Sequence, residues 1–325
     1  GLSMAERIEP IAANLGGNAP AQIARRYWLA TRPAFFTASI LPVVVGTAWG
    51  HGISGQLDLV AAALALVATV LIHAGANVIN DVADEMTGTD RVNVERIFPY
   101  TGGSRFIQND ILTLQQMRTW GIALLVAGSL FGAILTLLKG PMVLAFGLAG
   151  FALAVLYSVP PVQLVARGVG ELAIATAFGV IPVTGSAWLQ AGTLDVWSLV
   201  ISIPVGMYIA AILLINEVPD MPADAQAGKR TLPVRFGAPA TRGIYILMHA
   251  VATGAVALAV VRGELRTLAI ALPLVLLAMA IGNARGITDS RTPEGRQALT
   301  TSIERTLAIQ TLGCVWLAVW AWFGP

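Results

Sequence analysis

Long, continuously apolar stretches separated by short polar connections run along most of the chain. Nine segments approach the roughly 20 apolar residues needed to cross a bilayer core: 34–51, 58–79, 118–138, 141–159, 170–190, 196–216, 242–261, 267–285 and 304–323. None alternates with a period of two, so the pattern predicts helices and not barrel strands. The segments at 141–159, 267–285 and 304–323 lie near the lower length limit, so eight spans would also satisfy the pattern. Residues 1–30 contain no such stretch. Glu6, Arg7 and Glu9 interrupt any apolar core there, so this part reads as a cytoplasmic segment and not as a signal peptide. Within it, Ile8–Leu15 reads as a short amphipathic helix on the membrane surface. The expected fold is an all-α membrane protein: a bundle of about nine transmembrane helices over residues 31–325, one domain, with a central cavity capped by cytoplasmic loops.

Composition sharpens the class. Of 325 residues 56% are hydrophobic and only 12% charged, and mean hydropathy is +0.74. That charged share is about half the usual one for a soluble domain. It also excludes a disordered, collagen-like or disulfide-built chain, the last because Cys314 is alone. Net charge is only +2 and the basic residues are dispersed, so a lipid bilayer and no nucleic acid is the expected partner. All but three of the 20 Lys and Arg residues fall in the N-terminal segment and every second connection after it; Lys139, Arg262 and Arg266 fall on the other side. Basic residues favour the cytoplasmic face, so the N-terminus is expected in the cytoplasm. The cytoplasmic connections around 80–117 and 217–241 are long and polar, and long loops in a compact bundle are usually functional or disordered.

Those two connections begin alike. One runs Asn77-x2-Asn80-Asp81-x2-Asp84 and then Gly88-Thr89-Asp90-Arg91. The other runs Asn216-x3-Asp220-x3-Asp224 and then Gly228-Lys229-Arg230. Spacings of three and four place the members of each set on one helix face. Carboxylates so close together repel unless a cation or a shared proton compensates. Oxygen donors with no Cys or His nearby suit a hard cation such as Mg²⁺, which takes one or two carboxylates and completes its shell with water and phosphate oxygens. Two facing sets would hold a diphosphate between metal ions, and Lys229, Arg230, Arg91 and Arg105 would neutralise its remaining charge. The alternative, two solvated juxtamembrane loops, is disfavoured by their matching pattern at a face that selects basic residues.

The same residues resemble the aspartate motifs of the UbiA superfamily of intramembrane prenyltransferases: Asn80-Asp81-x2-Asp84 with Asp90 the first, Asp220-x3-Asp224 with Gly228-Lys229-Arg230-Thr231-Leu232 the second. Thr31-Arg32-Pro33 and Leu41-Pro42-x3-Gly46 fit the family's first span. Thr101-Gly102-Gly103-Ser104-Arg105, Tyr157-Ser158-x-Pro160-Pro161 and Arg167-Gly168-x-Gly170-Glu171 resemble the MenA-like branch, which prenylates 1,4-dihydroxy-2-naphthoate in menaquinone synthesis. Two positions depart from the pattern: Gly88 stands where an Asp is usual, a shift the naphthoate branch tolerates, and Val82 stands where an aromatic residue is common.

The resemblance implies a polyprenyl diphosphate donor, an aromatic acid acceptor and Mg²⁺. Asp81, Asp84, Asp220 and Asp224 would hold the metal, assisted by Asp90, Asn77, Asn80 and Asn216. Tyr157 would face the allylic cation, and Arg167 or Arg32 would hold the acceptor carboxylate. Other branches, with 4-hydroxybenzoate, homogentisate or a lipid alcohol as acceptor, remain alternatives. A transporter is the remote one, because the acids cluster at one face and not at mid-membrane. Elsewhere the bland reading leads. His73 and His249 read as hydrogen-bonded structural residues, Gly128-x3-Gly132 as close helix packing, and Cys314 as a small core residue. Glu171 suits a helix N-terminus and a functional role equally, as Gly102-Gly103 suits a turn or a phosphate nest.

Overall fold

A computed structural model describes residues 10–87, 104–158 and 164–325. Among the described residues there are helices and no strands. Two short helices, α1 (Ala12–Leu15) and α2 (Pro20–Ala30), precede the bundle. The bundle comprises α3 (Thr37–Ser54), α4 (Leu59–Thr87), α5 (Leu114–Lys139), α6 (Met142–Ser158), α7 (Gly170–Ala191), α8 (Val196–Asn216), α10 (Leu232–Val261), α11 (Ala271–Asn283) and α12 (Pro293–Phe323). A two-turn helix, α9 (Met221–Gln226), sits between α8 and α10.

Eight of these helices, counted with their 3₁₀ extensions, are long and apolar enough to cross a membrane; α6, the ninth segment, is shorter. The chain is thus a multi-pass membrane protein. Three helices run further, at the end that carries the acidic sets, than the apolar pattern predicts. α4 continues past 79 to Thr87, α10 starts at Leu232 and α12 at Pro293. Charged residues end an apolar run without ending the backbone hydrogen bonding that makes a helix. The extension of α4 carries Asp81 and Asp84 on helix, and α10 is kinked at Gly237, where φ is +81°. The expected interfacial helix over Ile8–Leu15 is corrected to the single turn of α1, with residues 8 and 9 outside the described part. Gly16 and Gly17 stop it, and Pro20 starts α2 at its first position.

α8 lies at the centre. Ile201, Val205, Tyr208, Ile209, Leu214 and Ile215 are buried among α3, α7, α10 and α12. Its N-terminal end is fixed by Asp195, whose carboxylate accepts from Ser198 N at 2.7 Å and from Trp49 Nε1 at 3.1 Å. The segment after residue 104 folds back beneath α4, burying Phe106, Ile107 and Leu112 against Val78 and Val82. There Asn109 Nδ2 donates to the Pro10 carbonyl at 2.6 Å. Close packing rests on small residues. A Cβ on Gly46 would stand 2.3 Å from the Val183 carbonyl oxygen, and one on Gly50 2.5 Å from that of Ala187, so α3 lies flush against α7. α7 is not regular throughout: Thr176–Val180 form a π-turn, and a Cβ on Gly179 would stand 2.5 Å from the Gly206 Cα of α8. The Gly128-x3-Gly132 pair divides. Gly128 packs on α4, with a Cβ 2.8 Å from Ile72 Cγ1, whereas Gly132 meets nothing within 4 Å.

Replacing Gly46 by Val should force α3 away from α7 and lower stability by about 1–3 kcal/mol. Gly254→Ala, where a Cβ meets nothing within 4 Å, should be close to neutral. Thermal unfolding in detergent, followed by circular dichroism, would compare the two; equal melting temperatures would refute the packing argument.

Candidate active site

The inner ends of α4 and α8 open onto one cavity of about 180 Å³, closed by α6, α7, α9 and the turn before α3. Its wall carries Asn77, Asn80 and Asp84 from α4, Asn216, Glu217 and Asp220 from the end of α8, and Asp224 and Lys229 from α9 and the turn after it. The two polar sets of the sequence therefore meet. Helical phase explains which α4 residues take part: at 100° per residue, His73, Asn77, Asn80 and Asp84 lie within about 60° of one another. All four line the cavity. Asp81 lies at the margin of that stripe. It is not in the wall, and its carboxylate accepts from Ser104 N at 3.3 Å.

Lys229 bridges the two helix ends, its ammonium 3.2 Å from Asp84 Oδ1 with both side chains nearly buried. A helix stop aims it. Gly228, with φ of +74°, lets Lys229 N donate to the Asp224 carbonyl at 2.8 Å and Gly228 N to that of Ala225 at 3.2 Å, a Schellman closure of α9. The Thr31-Arg32-Pro33 turn is held over the cavity by Asn77, whose Nδ2 donates to the Thr31 carbonyl at 2.8 Å. Arg32, with φ of +53°, lines the wall. Tyr157 lines it too, above Gly170, whose Cβ would stand 3.4 Å from Tyr157 Cε2.

Several buried oxygens in this wall have no hydrogen-bond partner: Asn80 Oδ1, Asn216 Oδ1 and Asp224 Oδ1. Buried polar groups are normally satisfied, so a set of bare acceptors in one wall could serve a cation as donors. All the donors are oxygen, which suits Mg²⁺. Among the described residues no three acids, His or Cys are close enough to hold a metal by themselves. That is the arrangement in which a ligand's phosphate oxygens and water complete the shell. Burial, followed by the charge of Glu171, pushes the Glu217 carboxyl well above its ordinary range. Burial likewise raises Asp224, opposed by the Lys229 ammonium.

The remaining expected residues are placed as follows. Arg105, Arg167 and Arg230 do not line the cavity. Arg230 is exposed, and its carbonyl accepts from Arg235 Nε at 2.8 Å. Asp90, Arg91 and the Gly102-Gly103 pair lie outside the described residues. Of the two arginines expected to face an acceptor, only Arg32 reaches the wall. Glu217 was not singled out by the sequence pattern, although it directly follows Asn216; its signal was an acid at the very end of an apolar span. Glu171 is buried beside it. His73 makes the expected hydrogen bond, Nδ1 to Ser39 Oγ at 2.9 Å, but it also lines the cavity. His249 is buried with neither ring nitrogen hydrogen-bonded, its ring 4.7 Å from that of Tyr245. Cys314 is a buried core residue, as expected.

A sequence profile described as the UbiA prenyltransferase family matches residues 39–312. A 1,4-dihydroxy-2-naphthoate octaprenyltransferase of Mycobacterium tuberculosis is 34% identical over 224 residues, covering 68% of this chain and 73% of its own. UbiA prenyltransferase domain-containing protein 1 of Danio rerio is 30% identical over 257 residues, covering 78% and 73%. A solved UbiA homologue from Archaeoglobus fulgidus bound to GPP and Mg²⁺ matches with a TM-score of 0.59 at 18% identity, covering 90% of this chain and 99% of that one. At that identity the likeness is one of fold.

Replacing Lys229 by Met should remove the ammonium paired with the buried Asp84 carboxylate and cost about 3–5 kcal/mol. The double variant Lys229→Met/Asp84→Asn should recover part of that loss. Denaturation of the single and double variants would test the pair; a double variant no more stable than Lys229→Met would refute it.

Proposed function

The chain belongs to the UbiA prenyltransferase family and is a membrane prenyltransferase, and we propose from this that it transfers a polyprenyl group from polyprenyl diphosphate to 1,4-dihydroxy-2-naphthoate, with Mg²⁺ and with loss of carbon dioxide. The observation that carries the reading is the convergence of Asp84, Asp220, Asp224 and Lys229 from two helix ends on one cavity beneath an apolar bundle. The naphthoate acceptor is supported by the relatives of that name and by Arg32, a fixed cation in the same wall for a carboxylate.

The chemistry divides among the residues. Asp84, Asp220 and Asp224, with Asn80 and Asn216, would hold the metal, which when bound supplies Lewis-acid neutralisation of the departing diphosphate. Asp81 would act on this set through the Ser104 segment that it ties to α4. Lys229, in the same wall, would add fixed positive charge where negative charge develops as the allylic C–O bond breaks. The apolar wall formed by Phe35, Ile174, Phe178 and Ile209 keeps water from the allylic cation, and the Tyr157 ring offers it a π face. The ring carbon bearing the acceptor carboxylate then bonds to the allylic carbon. The electron pair of the carboxylate bond returns to the ring as carbon dioxide leaves, so charge balances without a proton leaving the ring. The distribution of Lys and Arg supports a cytoplasmic placement of this cavity in the cell's inner membrane.

Purified protein supplied with Mg²⁺, geranylgeranyl diphosphate and a mixture of aromatic acids should yield, by mass spectrometry, one prenylated product lacking the naphthoate carboxyl. Asp84→Ala, Asp220→Ala and Asp224→Ala should each reduce its formation at least about a hundredfold, on the scale of losing a main electrostatic contact, while the protein remains folded. Product retaining the carboxyl, or made from a different acid, would overturn the acceptor assignment.

A further inference from the structure

His73 is bonded on one side only. Its Nδ1 lies 2.9 Å from Ser39 Oγ, and that hydroxyl gives its single proton to the Phe36 carbonyl at 3.1 Å. Ser39 therefore accepts, Nδ1 carries the ring proton, and Nε2 is left as an acceptor. No described residue donates to Nε2. The ring is held in place by that of Phe36, with centroids 5.6 Å apart, and by that of Phe178, met edge-on at 4.7 Å.

Of the polar α4 residues in the wall of the site cavity, His73 is the farthest along the helix from Asp84. Beyond it lies a second, lateral cavity of about 320 Å³, which His73 also borders. Exposed Leu144 and Leu148 line that cavity between α4, α5, α6 and α7, and its wall is almost wholly apolar. Nε2 is thus an acceptor without a protein partner at the apolar end of the site, although buried polar groups are normally paired.

Arg32 is its counterpart. Asn77 holds the Thr31 carbonyl, so the Arg32 turn docks on α4 four residues from His73, a step of about 6 Å at about 1.5 Å per residue. Arg32 lines the cavity, and its Nε is buried with no hydrogen-bond partner among the described residues. A cation and a neutral acceptor therefore line one cavity about a helix turn apart, beside the rings of Phe35 and Phe178. In 1,4-dihydroxy-2-naphthoate, ordinary bond lengths put the carboxylate carbon and the 4-hydroxyl oxygen about 5 Å apart. A flat acid of this shape satisfies both groups at once.

We infer that His73 Nε2 accepts the hydrogen bond of the acceptor's 4-hydroxyl while Arg32 takes its carboxylate, so that His73 selects a 1,4-dihydroxy acid over a monohydroxy one. The inference rests on the naphthoate reading and adds to it the residue that recognises the second hydroxyl. The 1-hydroxyl, ortho to the carboxylate-bearing carbon, activates that carbon. The 4-hydroxyl is meta to it and serves as a handle. His73 is therefore a binding and specificity residue, and no proton is transferred to it. Ser39 is a positioning residue that fixes its tautomer.

The test compares kcat/KM for 1,4-dihydroxy-2-naphthoate with that for 1-hydroxy-2-naphthoate, at saturating geranylgeranyl diphosphate and Mg²⁺. Wild-type protein should prefer the dihydroxy acid at least about a hundredfold, because a site built to bond a hydroxyl rejects the analogue lacking it. In His73→Phe that ratio should fall at least about tenfold, the scale of one lost hydrogen bond, with the monohydroxy acid little affected. His73→Gln, whose amide oxygen accepts in place of Nε2, should keep part of the preference, and Ser39→Ala should weaken it. Equal kcat/KM for the two acids in wild type overturns the inference. So does an unchanged ratio in a folded His73→Phe, where both values fall together as they would for a purely structural residue. If His73→Phe does not fold, Ser39→Ala decides, and an unchanged ratio there overturns it. Wild-type protein that prenylates neither naphthoate overturns the acceptor assignment itself, a result distinct from turnover of both with an unaltered ratio.

Discussion

The ion pair between Lys229 and Asp84 joins the two halves of the site. Without it, α4 and the α8–α9 corner would bring several carboxylates together in a low-dielectric pocket, and their mutual repulsion would push the helix ends apart. An ammonium on a flexible stem suits this place better than a guanidinium. It is a compact charge with rotatable donors, and its stem lets it reach the Asp84 carboxylate across the cavity. The Schellman turn at Gly228 makes the pairing possible, since an unbroken α9 would carry Lys229 away from α4.

Other contacts serve that pair. Asn77 pins the Arg32 turn, Ser104 engages Asp81 and pulls the returning segment under α4, and Gly179 lets the π-turn lie on α8. Each fixes one wall of the cavity relative to another. The unpartnered oxygens of Asn80, Asn216 and Asp224 are tolerable only because the surroundings are held this way; a looser fold would let them find partners. Polar satisfaction is given up at the site and recovered in the second layer of contacts.

The sequence disclosed the spans, the pairing of the two acidic sets and the family, because continuous apolarity and spacings of three and four survive folding unchanged. Helix ends were less legible. The runs of charge before 242 and 304 resemble loops, yet α10 and α12 extend through them. Asp81 and Asp84 both share a face with Asn77, and spacing alone does not say which edge of that face turns to the cavity; the cavity wall and the bond to Ser104 show that Asp84 looks in and Asp81 does not. His73 read as a structural histidine because its second neighbour, Phe178, lies more than a hundred positions away. The lateral cavity left no trace in the pattern, since it arises from small residues on four separate helices.

The π-turn at Thr176–Val180 has a further implication for how α7 could have arisen. Such a turn holds one residue more than the α-helical path requires. Winding the same residues as a regular α-helix, with none removed, would rotate 181–191 by about 100° relative to Gly170–Ala175. Gly185 would then leave its seat near Phe146, and the Val183 carbonyl would leave Gly46. The inner half of α7, which faces the chemistry, and the outer half, which faces α3, are thus phased independently by a single inserted position, so either face can diversify without obliging the other to follow.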